Sequence, residues 1–373
     1  MPGEASLQEA IHNRLKAGDL PFKEFVELVL YHPDFGYYRQ GQSPVGKAAD
    51  FVTSPSLSPV FSYGLGKLCR QFLSRVGDGA SQIVDVGAGN GALINSLREV
   101  GRWPLAVGRA QDSSTANGQR PTANVSLIGV ERGESLSDLP PADARLVISN
   151  ELFDAQPFAR LVRRGNELRE LTVVERDGVL DWGERAAGPR YVSYFADRGI
   201  ELDAGQFADV SLDWTSLYDE ICRFVARGLI VTFDYGYPQE TLFRSRLRRY
   251  GTAAAYSGQR VSRDLLANPG RQDLTAHINF TDLIRAGERA GFTTLFFDRQ
   301  AKFLLALGIT EHELFKPIDQ VSADSLQAGV DLLDRRDEAR RLVLPDGIGE
   351  DIRVLVQGRG MPADGWMFQR KLF

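Results

Sequence analysis

Three stretches of this chain carry residues whose types and spacing are suited to chemistry. The first is Ile83-Val84-Asp85-Val86-Gly87-Ala88-Gly89-Asn90-Gly91-Ala92-Leu93, a short apolar β-prone run that breaks into glycines and resumes with helix formers. It reads as a strand, a tight turn and a helix N-terminus. Glycines at alternate positions let the backbone take positive φ and come close to a ligand, while the N–H groups opening the helix face that ligand. Such a turn holds a nucleotide, or else is only a strand-to-helix turn. The second stretch, Ser126-Leu127-Ile128-Gly129-Val130-Glu131, is an apolar strand ending in an acid. An acid at the tip of the next strand is where a ribose diol is gripped, the alternative being a solvated strand end. The third is Ala144-Arg145-Leu146-Val147-Ile148-Ser149, a strand that runs into Asn150-Glu151-Leu152-Phe153-Asp154-Ala155-Gln156-Pro157. An amide, two carboxylates and an aromatic ring would there meet at the carboxyl edge of a parallel sheet, where ligands sit. A structural account instead makes Asn150 and Asp154 helix caps and Phe153 core.

The spacing of the glycines narrows the nucleotide. A dinucleotide turn follows G-x-G-x-x-G and presents pyrophosphate to a helix N-terminus, whereas Gly87, Gly89 and Gly91 follow G-x-G-x-G. Asp85, two residues earlier, would repel a pyrophosphate and suits the ammonium of an amino-acid-bearing ligand. The pattern resembles the first motif of class I methyltransferases, which bind S-adenosylmethionine. Amino-methyltransferases often place Asn/Asp-Pro-Pro-Tyr/Phe at the strand end where this chain has Asn150 and Phe153 without the prolines.

Positioning these groups takes a large core, and 373 residues with 43% hydrophobic content supply one. A charged content of 25% and a net charge of −5 argue against a disordered chain and against a strongly basic nucleic-acid binder. Cys69 and Cys222 make neither a disulfide framework nor a zinc pattern, and no metal site is expected. No apolar run reaches the roughly 20 residues of a membrane span. The N-terminus carries Glu4 where a signal peptide has basic residues, so a cytoplasmic protein is expected.

Along the chain, Ser6 to Lys16 and Phe22 to Leu30 are expected as short amphipathic helices, the second opened by Pro21. The aromatic turn-rich run Tyr31-His32-Pro33-Asp34-Phe35-Gly36-Tyr37-Tyr38 either packs under a loop or forms a flap over the adenosine or the substrate; His32 is read as structural. Phe61 to Val76 is expected as a helix, and the polar stretch from Val100 to Ala123 as a surface insertion. Glu167 to Trp182 alternates around Asp177-Gly178, a strong hairpin signal. A helix over Ser216 to Ala226 then leads to a buried strand, Gly228 to Gly236, with Asp234 near its end. The final two strands are expected over Thr293–Phe297 and Ile352–Gln357, separated by a helical stretch around Ser325 to Leu342.

With these stretches in view the sequence resembles the MidA family, whose mitochondrial member is a complex I assembly factor that methylates an arginine. The matches are Gly36-Tyr37-Tyr38, Asp50-Phe51-Val52-Thr53-Ser54-Pro55, the glycine turn, Asn150 to Ala155, Asp234-Tyr235-Gly236, Gly251-Thr252, Pro269 to Phe280 and Phe303 to Gly308. The resemblance implies an α/β class I (Rossmann-like) methyltransferase fold: a seven-stranded mixed sheet with the last strand antiparallel, an N-terminal helical lid over residues 1–75, and a methyltransferase domain over 76–373. An inserted β-hairpin substrate arm occupies about 158–215. It implies S-adenosylmethionine as cofactor, held by Asp85, Gly87, Gly89, Gly91, Glu131, Asn150, Tyr37 and Thr53. Candidates for the chemistry are Asp154, Glu151, Asp234 and His277, although a lone histidine near a strand start is more often a packed or hydrogen-bonded residue. A homodimer is a further expectation.

The departures lie on the substrate side: Ala49-Asp50-Phe51 for Gly-Asp-Phe, Pro55-Ser56 for Pro-Glu, Ala253-Ala254-Ala255-Tyr256 and Gln259 for Leu-Arg-Ala-Tyr and a histidine, and Gln156 for a leucine. Cofactor residues survive better, the pattern of a divergent member with a changed acceptor. A guanidinium acceptor would be held by Glu151 and Asp154 in a bidentate contact. A small-molecule hydroxyl or amine would need a base, Asp154, Asp234 or His277. A non-catalytic assembly factor that binds a partner protein is the third reading.

Overall fold

The computed structural model describes residues 6–39, 58–100, 125–244, 246–258, 260–317, 326–345 and 347–371. The chain forms two compact units, each assembled from separate stretches. One takes residues 53–152, Leu217–Asp234 and Leu283–Phe373; the other takes residues 1–52, Phe153–Ser216 and Tyr235–Asp282.

The first unit is built on the large sheet. Its strands lie side by side in the order Thr293–Arg299, Ile352–Arg359, Gly228–Tyr237, Ala144–Asn150, Ser81–Val86 and Val125–Val130. The four strands from Gly228–Tyr237 to Val125–Val130 pair in parallel. Ile352–Arg359, last in sequence, is inserted antiparallel to Thr293–Arg299, as the sequence implied. The seventh strand, the two-residue Ile278–Asn279, belongs to the second unit together with Gly236 and Tyr237, with which it pairs in parallel. Every residue of Ser81–Val86 is buried, the signature of an interior parallel strand covered on both faces. An aromatic chain of Phe61, Phe233, Phe303, Phe296 and Phe368 fills one side, with ring centroids 5.2 to 5.7 Å apart between the first three and from Phe303 to Phe368. Pro59–Val76, capped by the Ser58 hydroxyl, packs in this unit, and no helix of the described residues is long and apolar enough to cross a membrane.

The second unit is built on a five-stranded antiparallel sheet in which Glu167–Arg176 pairs with Val179–Ala186 across Asp177 and Gly178. Both turn residues have positive φ, 53° and 78°, the two-residue turn that Asp-Gly favours. Leu20–Pro21 adds a short edge strand against Val173 and Thr172. The helices Leu7–Leu15, opened by a Ser6/Glu9 capping box, and Phe22–Tyr31 bury Phe22, Phe25, Val26 and Val29 in a core shared with Phe158 and Val173. The unit also contains a three-stranded sheet, Arg260–Ser262, Ala254–Ser257 and Asp273–Thr275, that sequence patterning did not reveal.

Candidate active site

In the first unit the sequence-expected cofactor groups converge on the carboxyl edge of the parallel sheet. Register places Val86 opposite both Val130 and Ser149, so Gly87, Glu131 and Asn150 each leave their strand at one level. The turn is closed by the N–H of Gly87 donating to the Val130 carbonyl at 2.8 Å and that of Gly91 donating to the Ala88 carbonyl at 2.8 Å. Gly87, Gly89 and Gly91 have φ of 78°, 57° and 73°, a conformation unfavourable to L side chains. A Cβ on Gly89 would meet nothing within 4 Å, so the turn presents bare backbone to open space. The Asn90 side chain accepts from the Ala92 N–H at 3.0 Å and opens the helix Ala92–Val100.

Two carboxylates dominate the electrostatics there. Asp85 is buried, and burial first, then the Glu131 charge, pushes its carboxyl up to about 7. Glu131 is exposed at its strand tip. Asn150 donates from Nδ2 to Glu151 Oε1 at 3.0 Å, while its buried Oδ1 has no hydrogen-bond partner among the described residues. An orphaned buried acceptor costs about 1–3 kcal/mol and fits a ligand donor. Glu151, whose N–H donates to the Phe233 carbonyl at 2.9 Å, has φ of 52°, an uncommon value for a non-glycine residue. A bare glycine turn, a strand-tip acid, a buried acid and an orphaned amide oxygen fit the amino-acid and nucleoside parts of S-adenosylmethionine.

Residues 151–158 form turns before the strand Ala159–Arg164, with no helix to cap, so the capping account of Asn150 and Asp154 does not hold. Phe153 is core, its carbonyl accepting from Trp214 Nε1 at 2.6 Å. Asp154, in the second unit, is buried, and its carbonyl accepts from the Ala276 N–H at 3.1 Å. Around it stands a group that sequence reasoning missed. Tyr31 and Tyr38 stack with centroids 5.3 Å apart, the Tyr31 hydroxyl donates to the Ala155 carbonyl at 2.8 Å, and the Tyr38 hydroxyl donates to Asp273 Oδ1 at 3.0 Å. Burial, then the charge of Asp273, then Tyr31 and Asp154, hold the Tyr38 hydroxyl well above its ordinary pKa, so it remains a donor. Only the recurrence of both residues in family-like motifs hinted at the pair.

The remaining candidates are placed as follows. Tyr37 is 7% exposed in the apolar core of the second unit and meets Tyr38 edge to face. Asp234 is fully buried near the end of its strand. His277 lies against the rings of Tyr235 and Tyr237, and its N–H donates to Thr252 Oγ1 at 3.1 Å. Thr53, the motif around it and the polar stretch before Val125 lie outside the described residues. Among the described residues no group of three or more His, Cys, Asp or Glu is placed to hold a metal ion.

Comparison with known proteins agrees with this geometry. Residues 120–297 match a protein family described as "Putative S-adenosyl-L-methionine-dependent methyltransferase". The chain is 26% identical to the mitochondrial protein arginine methyltransferase NDUFAF7 of Xenopus tropicalis, covering 84% of this chain and 75% of that protein. It is 24% identical to the Caenorhabditis elegans homolog, over 87% and 83% of the two chains. A Burkholderia thailandensis protein solved with S-adenosyl-homocysteine bound superposes with a TM-score of 0.79 at 27% identity, covering 98% of this chain and 94% of that one. The fold and site define a class I, S-adenosylmethionine-dependent methyltransferase. Within that class the chain is similar to the MidA-like arginine methyltransferases named above, at about a quarter identity.

Proposed function

We propose that this methyltransferase modifies an arginine side chain of a partner protein, with the Asp154 carboxylate holding the guanidinium. The observation that carries the reading is the Asn150–Asp154 segment, which leaves its parallel strand with two carboxylates, one fixed in a left-handed backbone conformation. Bound S-adenosylmethionine supplies an electrophilic methyl group. The chain's own residues then have to orient a guanidinium nitrogen and localise its lone pair, which a carboxylate does through charge-assisted, bidentate hydrogen bonds. The names of the relatives, protein arginine methyltransferases, support the same acceptor.

The test is transfer of labelled methyl from S-adenosylmethionine into a lysate of the producing cell, followed by acid hydrolysis and chromatography of the amino acids. Label in methylarginine is expected. Label in a small metabolite would favour the retargeted enzyme, for which the altered Ala253–Tyr256 motif speaks. A stable partner in pull-downs with no transfer would favour an assembly factor. For location we propose the cytoplasm, in keeping with two free, buried cysteines, to be checked by fractionation.

A further inference from the structure

The helix Leu326–Arg341 has one face packed into its unit and another that is exposed among the described residues. On the packed side Arg336, Ala339 and Leu342 are buried. On the opposite side Val330, Leu333, Asp334, Asp337, Arg340, Arg341 and Leu344 recur at intervals of three and four, one stripe of an α-helix. Leu344 continues that stripe because its N–H donates to the Arg340 carbonyl at 2.9 Å. Val330, Leu333 and Leu344 are 45%, 51% and 49% exposed, so three branched aliphatic side chains stand in water on one face.

The charges on this stripe are ordered. Asp334 and Asp337 precede Arg340 and Arg341, so the acid is at one end and the base at the other. Such a face repels a parallel copy of itself and attracts an antiparallel one.

We propose that this stripe is the interface of a homodimer, in which the helix packs antiparallel against the same helix of a second copy about a two-fold axis. In the register that satisfies both chemistries, Leu333 of one copy faces Leu344 of the other and Asp337 of one faces Arg340 of the other, each contact occurring twice by symmetry. Asp337 and Arg340 already bridge within the helix at 3.3 Å with side chains 68% and 50% exposed, so the second copy completes a four-charge network. The 16-residue helix is about 24 Å long, which gives a contact at the small end of specific interfaces. A micromolar, salt-sensitive dimer follows.

Sedimentation velocity on the full chain between about 1 and 100 µM, at low and at high salt, tests this. The wild type should shift from monomer to dimer across that range, and more weakly at high salt. Asp337→Arg alone and Arg340→Asp alone should each weaken association at least tenfold by placing like charges opposite one another. The double exchange, which swaps the two signs and keeps the pair within the helix, should restore it. Leu333→Asp should abolish it. Calorimetric S-adenosylmethionine binding and circular dichroism serve as folding controls for all four variants. A wild type that stays monomeric at 100 µM, or a dimer indifferent to Leu333→Asp and to the charge exchange, overturns the proposal.

Discussion

The glycine-turn edge of the first unit and the tyrosine–carboxylate cluster of the second are built on opposite principles. The first is backbone with charge held back: three glycines at positive φ, a buried carboxyl raised to about 7, and an amide oxygen with nothing to accept from among the described residues. It is poised for a ligand of fixed shape. The second is side chain throughout, with Tyr31 on Tyr38, Tyr38 on Asp273, and the buried Asp154 close enough to raise the Tyr38 pKa. Its polar groups are already engaged with one another. Backbone geometry tolerates little change when the ligand is constant, whereas a side-chain cluster can be retuned when the acceptor changes. The sequence departures fall on the substrate side accordingly.

The contrast is broken most severely at Gly89. A Gly89→Val variant puts a β-branched side chain at φ 57° and fills the space the turn leaves open. Calorimetry should show S-adenosylmethionine affinity falling by about a thousandfold, since the backbone's approach itself is blocked. Binding within tenfold of wild type would mean the cofactor does not approach this turn.

A smaller and more diagnostic effect is expected at Asp85. Its carboxyl titrates near 3.8 in the unfolded chain and about 7 in the folded one, so between those values the folded protein holds a proton that the unfolded chain has released. The stabilising contribution is present below about pH 4 and is lost as pH rises through about 7. Cofactor affinity should run the other way, because the ligand's ammonium needs the carboxylate, and should rise through pH 7. Asp85→Asn should flatten both profiles. At pH 8 it should melt several degrees higher, worth roughly 1–3 kcal/mol, and bind about tenfold more weakly. A variant that binds better at every pH would remove Asp85 from the cofactor site.

The smallest effect belongs to the other region. Tyr38→Phe deletes one hydrogen bond to a buried carboxylate and should cost about 1.5–3 kcal/mol of stability by denaturant titration. Cofactor affinity should stay within about twofold of wild type, since the groups we propose to carry it lie in the glycine-turn edge. A tenfold loss of cofactor binding would show that the two regions are not functionally separable.

How much of this was legible in the sequence follows the range of the interactions. Gly87, Gly89 and Gly91 declare their turn because positive φ is a local demand, and Asp177-Gly178 declares the hairpin for the same reason. His32 was read as structural, and its Nδ1 accepts from the N–H groups of Asp34 and Phe35 at 3.2 and 3.3 Å. The helix over Asp213–Phe224 begins three residues before its expected start because Asp213 and Trp214 carry no apolar period. What stayed hidden is long range. Tyr38 and Asp273 are 235 positions apart. Buried Asp209 joins Arg160 to the N–H groups of Thr252 and Ala253 at 2.8, 2.6 and 2.8 Å, pairings that no local pattern announces. The strand Arg260–Ser262 is three residues long and wholly exposed, so it lacks the alternation by which strands are found.

We propose that cofactor binding belongs to the glycine-turn edge and acceptor handling to Asp154, the carboxylate that follows Asn150 and Glu151. Asp154→Asn tests it most directly, because the change is nearly isosteric and removes only the charge. With the acceptor identified by label transfer, steady-state turnover and calorimetric S-adenosylmethionine binding are measured on the same preparation. A kcat lower by about a hundredfold is expected, with the cofactor Kd unchanged within about twofold, since an interaction made in the transition state is lost while cofactor binding is untouched. Undiminished turnover, or a cofactor Kd that weakens along with the rate, would contradict it.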